Sequence, residues 1–243
     1  MIDSGYSNTV ELYDAFPKYV HGKKTVFSEA ELPPEKHVIE RRFTLPMKTD
    51  DGTKITQEFY LRITPATILR VKKGDVSRVF AYPTYREMLV EDAIRKLAIE
   101  HGALLKDGKV GCRFTIRQVR NILASAGHAM PHNSVVEAIN VMNKCTLEYG
   151  LIEQDNKTRV SARSPMFPEI VLRTADEYAE DSEAMSFVSF HRLVNKGIAS
   201  LEFRNYDFAT CINYKSGITS YLHKRLSQRF IQASKDNLSL IHI

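Results

Sequence analysis

Three cysteines in 243 residues, Cys112, Cys145 and Cys211, are odd in number and widely spaced. They exclude a disulfide framework and fit a reducing cytoplasm. No apolar run is long enough to cross a bilayer, which excludes an integral helical membrane protein. The opening MIDSGYSNTVELYDAF lacks the basic-then-apolar layout of a signal peptide. A strong charge excess is also missing: 34 Lys and Arg against 29 Asp and Glu give +5, with a pI of about 9.0. That balance permits an anionic partner without requiring one. What is present, 43% hydrophobic and 26% charged residues, is ordinary globular composition and excludes a mainly disordered chain. The length allows one large domain or two small ones.

Catalytic signatures are missing as well. Gly22-Lys23-Lys24-Thr25 lacks the first glycine of a phosphate-cradling loop. His128-x-x-x-His132 has the spacing of two zinc ligands on a helix, but Pro131 lies inside it and Gly127 precedes it. Polar turn residues are the better reading. No Ser or Cys sits in a G-x-S-x-G or C-x-x-C context, and no His-hydrophobe-His triplet accompanies a tyrosine for metal-dependent nicking. The expectation is a non-enzymatic protein with no cofactor and no metal site.

Residues 1–37 read as a loosely attached extension. A basic cluster, Lys18, His21, Lys23 and Lys24, precedes the acidic, proline-bearing stretch 29–35. From residue 38 the pattern becomes regular. Phe43, Leu45 and Met47 alternate with polar residues, as do Phe59, Leu61 and Ile63, around the turn Asp50-Asp51-Gly52. That is a β-hairpin. Pro65 breaks the chain, and strand-like pieces between residues 68 and 80 flank a second turn at 72–75. Three capping boxes follow: Thr84-x-x-Glu87, Thr115-x-x-Gln118 and Ser134-x-x-Glu137, each opening a run of apolar residues at helical spacing. Gly102 and Gly127 are C-cap candidates for the first two helices. A short strand at 111–114 separates those two, and the turn 128–132 separates the second from the third. Residues 146–152 and 159–164 form a hairpin around Asp155-Asn156-Lys157, and 170–173 resumes a strand.

Helix, short strand, helix, tight turn, helix, hairpin is the order of a winged helix. The fold class read from it is α+β: a winged helix, meaning a helix-turn-helix plus a β wing, followed by the start of a second, truncated winged-helix domain. Its parts are the extension 1–37, a first winged-helix domain with an N-terminal hairpin at 38–174, an acidic linker at 175–184, the second domain's start at 185–237, and a non-native tail at 238–243. In the second unit, 187–190 and 201–204 look like strands. Residues 216–234 look like a strong helix with Ile218, Tyr221, Leu222, Leu226, Phe230 and Ile231 on or near one face. The tail LSLIHI matches one frame of a common sequencing adapter, so the second domain is read as cut off after its first helix. A natural apolar strand is the alternative.

The side chains suited to DNA gather on this plan. Arg117 and Arg120 lie on the second helix. Asn133, Ser134, Asn140 and Lys144 lie on the third or at its start, and Lys157, Arg159 and Arg163 on the wing. Asn and Ser read base edges, and the cations position phosphate. Lys224, Arg225 and Arg229 make a second basic group, outside the apolar stripe of their helix. The competing reading is that these charges only solvate exposed faces.

The phrases FTLPMKTDDGTKITQEFYLRITPATILRV, YPTYREMLVEDAIRKLA and SLEFRNYDFATCINYKSGITSYLHKRLSQRF resemble plasmid replication initiators of the RepA/TrfA type, which carry tandem winged helices. The resemblance spans residues 41–234. It implies binding to repeated origin sequences in double-stranded DNA, a possible homodimer, and possible contacts with host replication proteins. It implies no membrane. Two rivals stand beside it: a winged-helix transcriptional regulator on one palindrome, and an adaptor whose winged helix binds protein alone.

Overall fold

The computed structural model describes residues 6–229 apart from 23, 33–36, 49–52, 73–74, 102–103, 107–108, 153–157, 181–184 and 202. In chain order the elements begin with strand β1 (Tyr6–Val10), helix α1 (Glu11–Ala15) and strand β2 (Val26–Ser28). Two hairpins follow, β3 (Ile39–Lys48) with β4 (Lys54–Thr64), and β5 (Ala66–Lys72) with β6 (Asp75–Ala81). The central helix α2 (Tyr85–His101) leads to β7 (Leu104–Lys106) and β8 (Lys109–Phe114), then to α3 (Ile116–Ser125) and α4 (His132–Lys144). Strands β9 (Thr146–Ile152), β10 (Thr158–Pro165) and β11 (Ile170–Val171) come next, followed by α5 (Ala175–Glu180) and β12 (Ser186–Ser189). The last elements are α6 (Arg192–Ala199), β13 (Phe203–Asp207), α7 (Phe208–Ile212) and α8 (Gly217–Arg229). The fold is mixed α+β, and every strand pairing among the described residues is antiparallel.

The strands form four sheets: β1-β13, β10-β9-β4-β3, β11-β12-β8-β7 and β2-β6-β5. The predicted hairpin of residues 43–63 forms as β3 and β4, paired from Ile39 with Ile63 to Lys48 with Lys54. Its turn, those at 72–75 and 155–157, and the Gly102 cap lie partly or wholly outside the described residues. The expected wing differs from a free hairpin. β9 pairs along β4 from Glu58 with Ile152 to Thr64 with Thr146, so it is an inner strand of a four-stranded sheet. The short strand β8 pairs with β12 and β7, not with β9. Pairing partners this far apart along the chain leave no mark in local periodicity.

Two boundaries expected from composition do not separate cores. A single cluster of buried side chains runs from Val10 to Ile212. Tyr13, Phe16 and Tyr19 are buried and β1 pairs with β13, so residues 6–20 are built in rather than loosely attached. The spacing of three from Val10 to Tyr13, Phe16 and Tyr19 is the signal that charge counting passed over. β12 and β13 complete sheets begun upstream, which binds residues 185–212 to the same core. Part of the acidic run is helix α5, which Thr174 and Glu177 cap reciprocally (Thr174 N to Glu177 Oε2, 2.7 Å; Glu177 N to Thr174 Oγ1, 3.3 Å). Sequence reading missed α1, α6 and α7, the last capped by Asp207, which accepts from Thr210 N at 2.9 Å.

α2 organises the molecule. All its residues from 87 to 98 are buried, including Glu87, Glu91, Asp92, Arg95 and Lys96. Charges in a helix covered on all sides need partners. Asp14 supplies one: its Oδ1 accepts from Arg95 at 2.7 Å, and its Oδ2 from Val10 N at 2.6 Å and Thr9 Oγ1 at 2.9 Å. Lys18, expected in an exposed basic cluster, is buried 3.6 Å from both Asp14 and Glu91, with its Nζ 3.4 Å over the Tyr13 ring. Tyr19 donates its hydroxyl to Glu91. Burial pushes the Asp14 carboxyl up, but Arg95 and Lys18 outweigh it and hold the group well below the usual carboxylate range. Beside this network His191 is buried and stacked on Tyr13 at 4.9 Å, its Nδ1 accepting from Leu193 N at 3.2 Å to cap α6. Burial, with Lys18 and Arg192 nearby, pushes its pKa down to about 3.

Asp14→Asn leaves Arg95 buried without its carboxylate and should cost about 3–5 kcal/mol, read from urea unfolding at pH 7. The His191 value in the fold is depressed, so its contribution is complete above the unfolded value and is lost as pH falls. His191→Asn keeps a cap acceptor but cannot titrate, so it should flatten the decline in unfolding midpoint between about pH 6.5 and 4.5.

Candidate nucleic-acid interface

α3 opens with the predicted capping box, in which Thr115 Oγ1 accepts from Gln118 N at 3.1 Å and Gln118 Oε1 from Thr115 N at 2.7 Å. Its apolar face buries Ile116, Val119 and Leu123. Gly127 ends it at a φ of 75°, the left-handed region that glycine occupies without cost. The turn 126–131 is then held from both sides. Arg120 Nε donates to Met130 O at 3.0 Å, and the His128 ring Nε2 lies 2.7 Å from Ile212 O on α7. That contact accounts for one of the two histidines at metal-like spacing; the other opens α4.

Between α3 and the start of α4 is an open cleft of about 460 Å³. Arg117, Arg120, Asn121, His132, Ile116 and Met130 are among the residues that line it, and no carboxylate is among the described ones. Arg117 and Arg120 are exposed, as is Asn133 beside His132. The structure therefore gathers two predicted cations and one predicted polar reader at one end of the helix pair.

Along α4 the prediction fares differently. The third capping box does not form, because the helix starts at His132 with Pro131 as its N-cap and no side-chain cap bond. Ser134 is half-buried inside the first turn. Glu137 turns to two arginines instead, accepting from Arg70 of β5 at 2.7 Å and from Arg86 of α2 at 2.9 Å. These contacts and burial together leave its carboxyl below the usual range: burial raises it, and Arg70 and Arg86 outweigh that. Asn140 donates to its own helix at Val136 O (3.0 Å), and Asn143 to Phe167 O (2.8 Å). The middle of α4 is thus engaged by the protein itself. Lys144 is exposed at its C-terminal end. Two residues on begins β9, whose Thr146 pairs with Pro165, two residues from exposed Arg163. Arg163 stands opposite Glu148, which accepts from Arg62 at 3.2 Å. Arg159 lies on β10, and Lys157 falls outside the described residues.

The second basic group needs a correction. Lys224, expected to meet phosphate, is buried and donates to Asp92 Oδ2 at 2.6 Å. Burial disfavours its charge, but Asp92 outweighs burial and holds the ammonium above its usual range. It is closed off from any external anion. Arg225 is half-buried and donates to Gln228 Oε1 at 2.8 Å, and Arg229 is the last described residue of α8. The cysteines are free and buried, with burial pushing the Cys112 and Cys211 thiols up to about 12. No helix among the described residues is long and apolar enough to cross a membrane.

No protein-family model matches the chain, and no curated protein matches it. Among solved structures, it is similar to two crystal structures of domains 2 and 3 of RctB. One, of selenomethionine derivatives, is 10% identical with a TM-score of 0.45, covering 81% of this chain and 67% of that one. The other is 11% identical with a TM-score of 0.45, covering 82% and 68%. At that distance the likeness carries over neither fold nor function.

Glu137→Gln removes the carboxylate that pairs with Arg70 and that shares Arg86 with Glu87 beside α4. It should cost about 1–2 kcal/mol in thermal unfolding, and it should raise duplex affinity at low salt while steepening the salt dependence.

Proposed function

We propose that the chain is a sequence-specific DNA-binding plasmid replication initiator, without enzymatic activity, that binds repeated origin sequences and helps start replication. The observation that carries this reading is the α3–turn–α4 unit. It presents Arg117, Arg120 and His132 at an open cleft with no carboxylate among its described lining residues, and Asn133 stands exposed beside His132. The order helix, strand, helix, turn, helix, strand pair from α2 to β10 is consistent with this reading, and the sequence phrases quoted above support it. In this reading Asn133 and Ser134 read base edges at the start of α4. Arg117, Arg120, Lys144 and Arg163 position the duplex through phosphate, with Arg225 and Arg229 as a second contact. Lys157 and Arg159 belong to the wing. A homodimer and host replication proteins are the further partners that the family resemblance implies.

A second reading has its own observation. The middle of α4 is occupied by Arg70, Arg86 and Phe167, which leaves little of that helix to enter a major groove. That favours an adaptor that binds protein. A transcriptional regulator would use the same cations on a single palindrome.

Selection from a random duplex pool with the full chain, read by sequencing at moderate salt, should return a motif that occurs as direct repeats. Arg117→Ala and Lys144→Ala should each weaken binding on all sequences alike and flatten the salt slope by about one charge. Unchanged slope in both would remove the α3–α4 face from the interface and leave the adaptor.

A further inference from the structure

A helix laid in a DNA groove reads bases only with side chains that are exposed and not already bonded within the protein. Of the thirteen described residues of α4, only His132, Asn133 and Lys144 are exposed. Its apolar face is buried in the core. Among its half-buried polar residues, Glu137 is held by Arg70 and Arg86, Asn140 bonds to Val136 O, and Asn143 bonds to Phe167 O. Lys144 lies twelve residues beyond His132, about 18 Å along the helix axis, at the end that adjoins β9. The first turn is therefore where α4 has side chains left for base edges.

The way the helix starts leaves them free. Pro131 stands at the N-cap, and its carbonyl accepts from Ser134 N at 3.1 Å, so neither His132 nor Asn133 is drawn in as a capping group. Neither side chain has a hydrogen-bond partner among the described residues. His132 lines the cleft together with Arg117 and Arg120, and Met130 O holds Arg120 by its Nε at 3.0 Å. Phosphate-positioning cations thus stand next to two unengaged polar side chains. A carboxamide carries both a donor and an acceptor, which match N7 and N6 of adenine in the major groove. An imidazole always carries at least one N–H, and N7 accepts on either purine. We propose that base recognition by the α3–α4 unit is confined to His132 and Asn133, with Asn133 taking an adenine and His132 donating to N7 of a second purine. This rests on the reading of that unit as a DNA contact. Ser134 is then a minor contributor, and Lys144 fixes position without reading sequence.

The full chain and the duplex that it selects test this by fluorescence anisotropy, with each base pair of the motif replaced in turn. The unmodified chain should lose about tenfold in affinity when the adenine that Asn133 takes is replaced. Asn133→Ala should become indifferent at that position and keep its preferences elsewhere, and His132→Ala should do the same at one other purine. Asn140→Ala should leave every preference in place. Arg117→Ala should weaken all duplexes alike and flatten the salt slope, with the preferences unchanged. His132 and Asn133 are exposed, so their circular dichroism melts should match that of the unmodified chain. The proposal fails if His132→Ala or Asn133→Ala leaves every preference intact, or if Asn140→Ala erases one. In those cases the DNA contact still stands on the salt slope of Arg117→Ala. If the unmodified chain selects no motif, the proposal fails together with the sequence-specific reading on which it rests.

Discussion

The burial of α2 with its charges is the constraint on which the rest of the fold depends. Five ionisable residues of that helix lie within the core. An unpaired buried charge costs several kcal/mol, so each must meet a partner of opposite sign or a strong donor. Asp14 and Lys18 come from the N-terminal segment, and Lys224 comes from α8. The two ends of the described chain are therefore drawn to one helix. The β1-β13 pair and the core cluster that runs from Val10 to Ile212 follow from that convergence.

The same requirement decides which cations remain for outside partners. Lys18, Arg95 and Lys224 serve the core, while Arg70 and Arg86 serve Glu137. Arg117 and Arg120 border a cleft with no carboxylate among its described lining residues, and Lys144 and Arg163 stand exposed near the end of α4. A net charge of +5 is thus a poor guide to the interface, because it counts paired and exposed cations alike. Where the excess is presented matters more than its size.

Much of the fold was legible from short-range pattern. The alternation in β3 and β4, the Thr115 box and the glycine at 127 all appear as read. Each depends on neighbours within a few residues. Arg117 and Arg120 of α3 and Asn133 of α4 lie on the helices that local spacing predicts. What failed depended on distant partners. Ser134 lost its cap because Glu137 was taken by arginines 51 and 67 residues away in sequence. Lys224 left the surface because Asp92, 132 residues away, required it.

The amino-acid sequence by itself determined the amphipathic periods and the capped start of α3. Only the tertiary structure decided which face of each helix turns inward. In α8 the inward side chains include Ser220, Lys224 and Gln228, with Lys224 on the buried Asp92, while Ile218, Leu222 and Leu226 are exposed. Periodicity defines two faces of a helix, but the element it packs against selects between them.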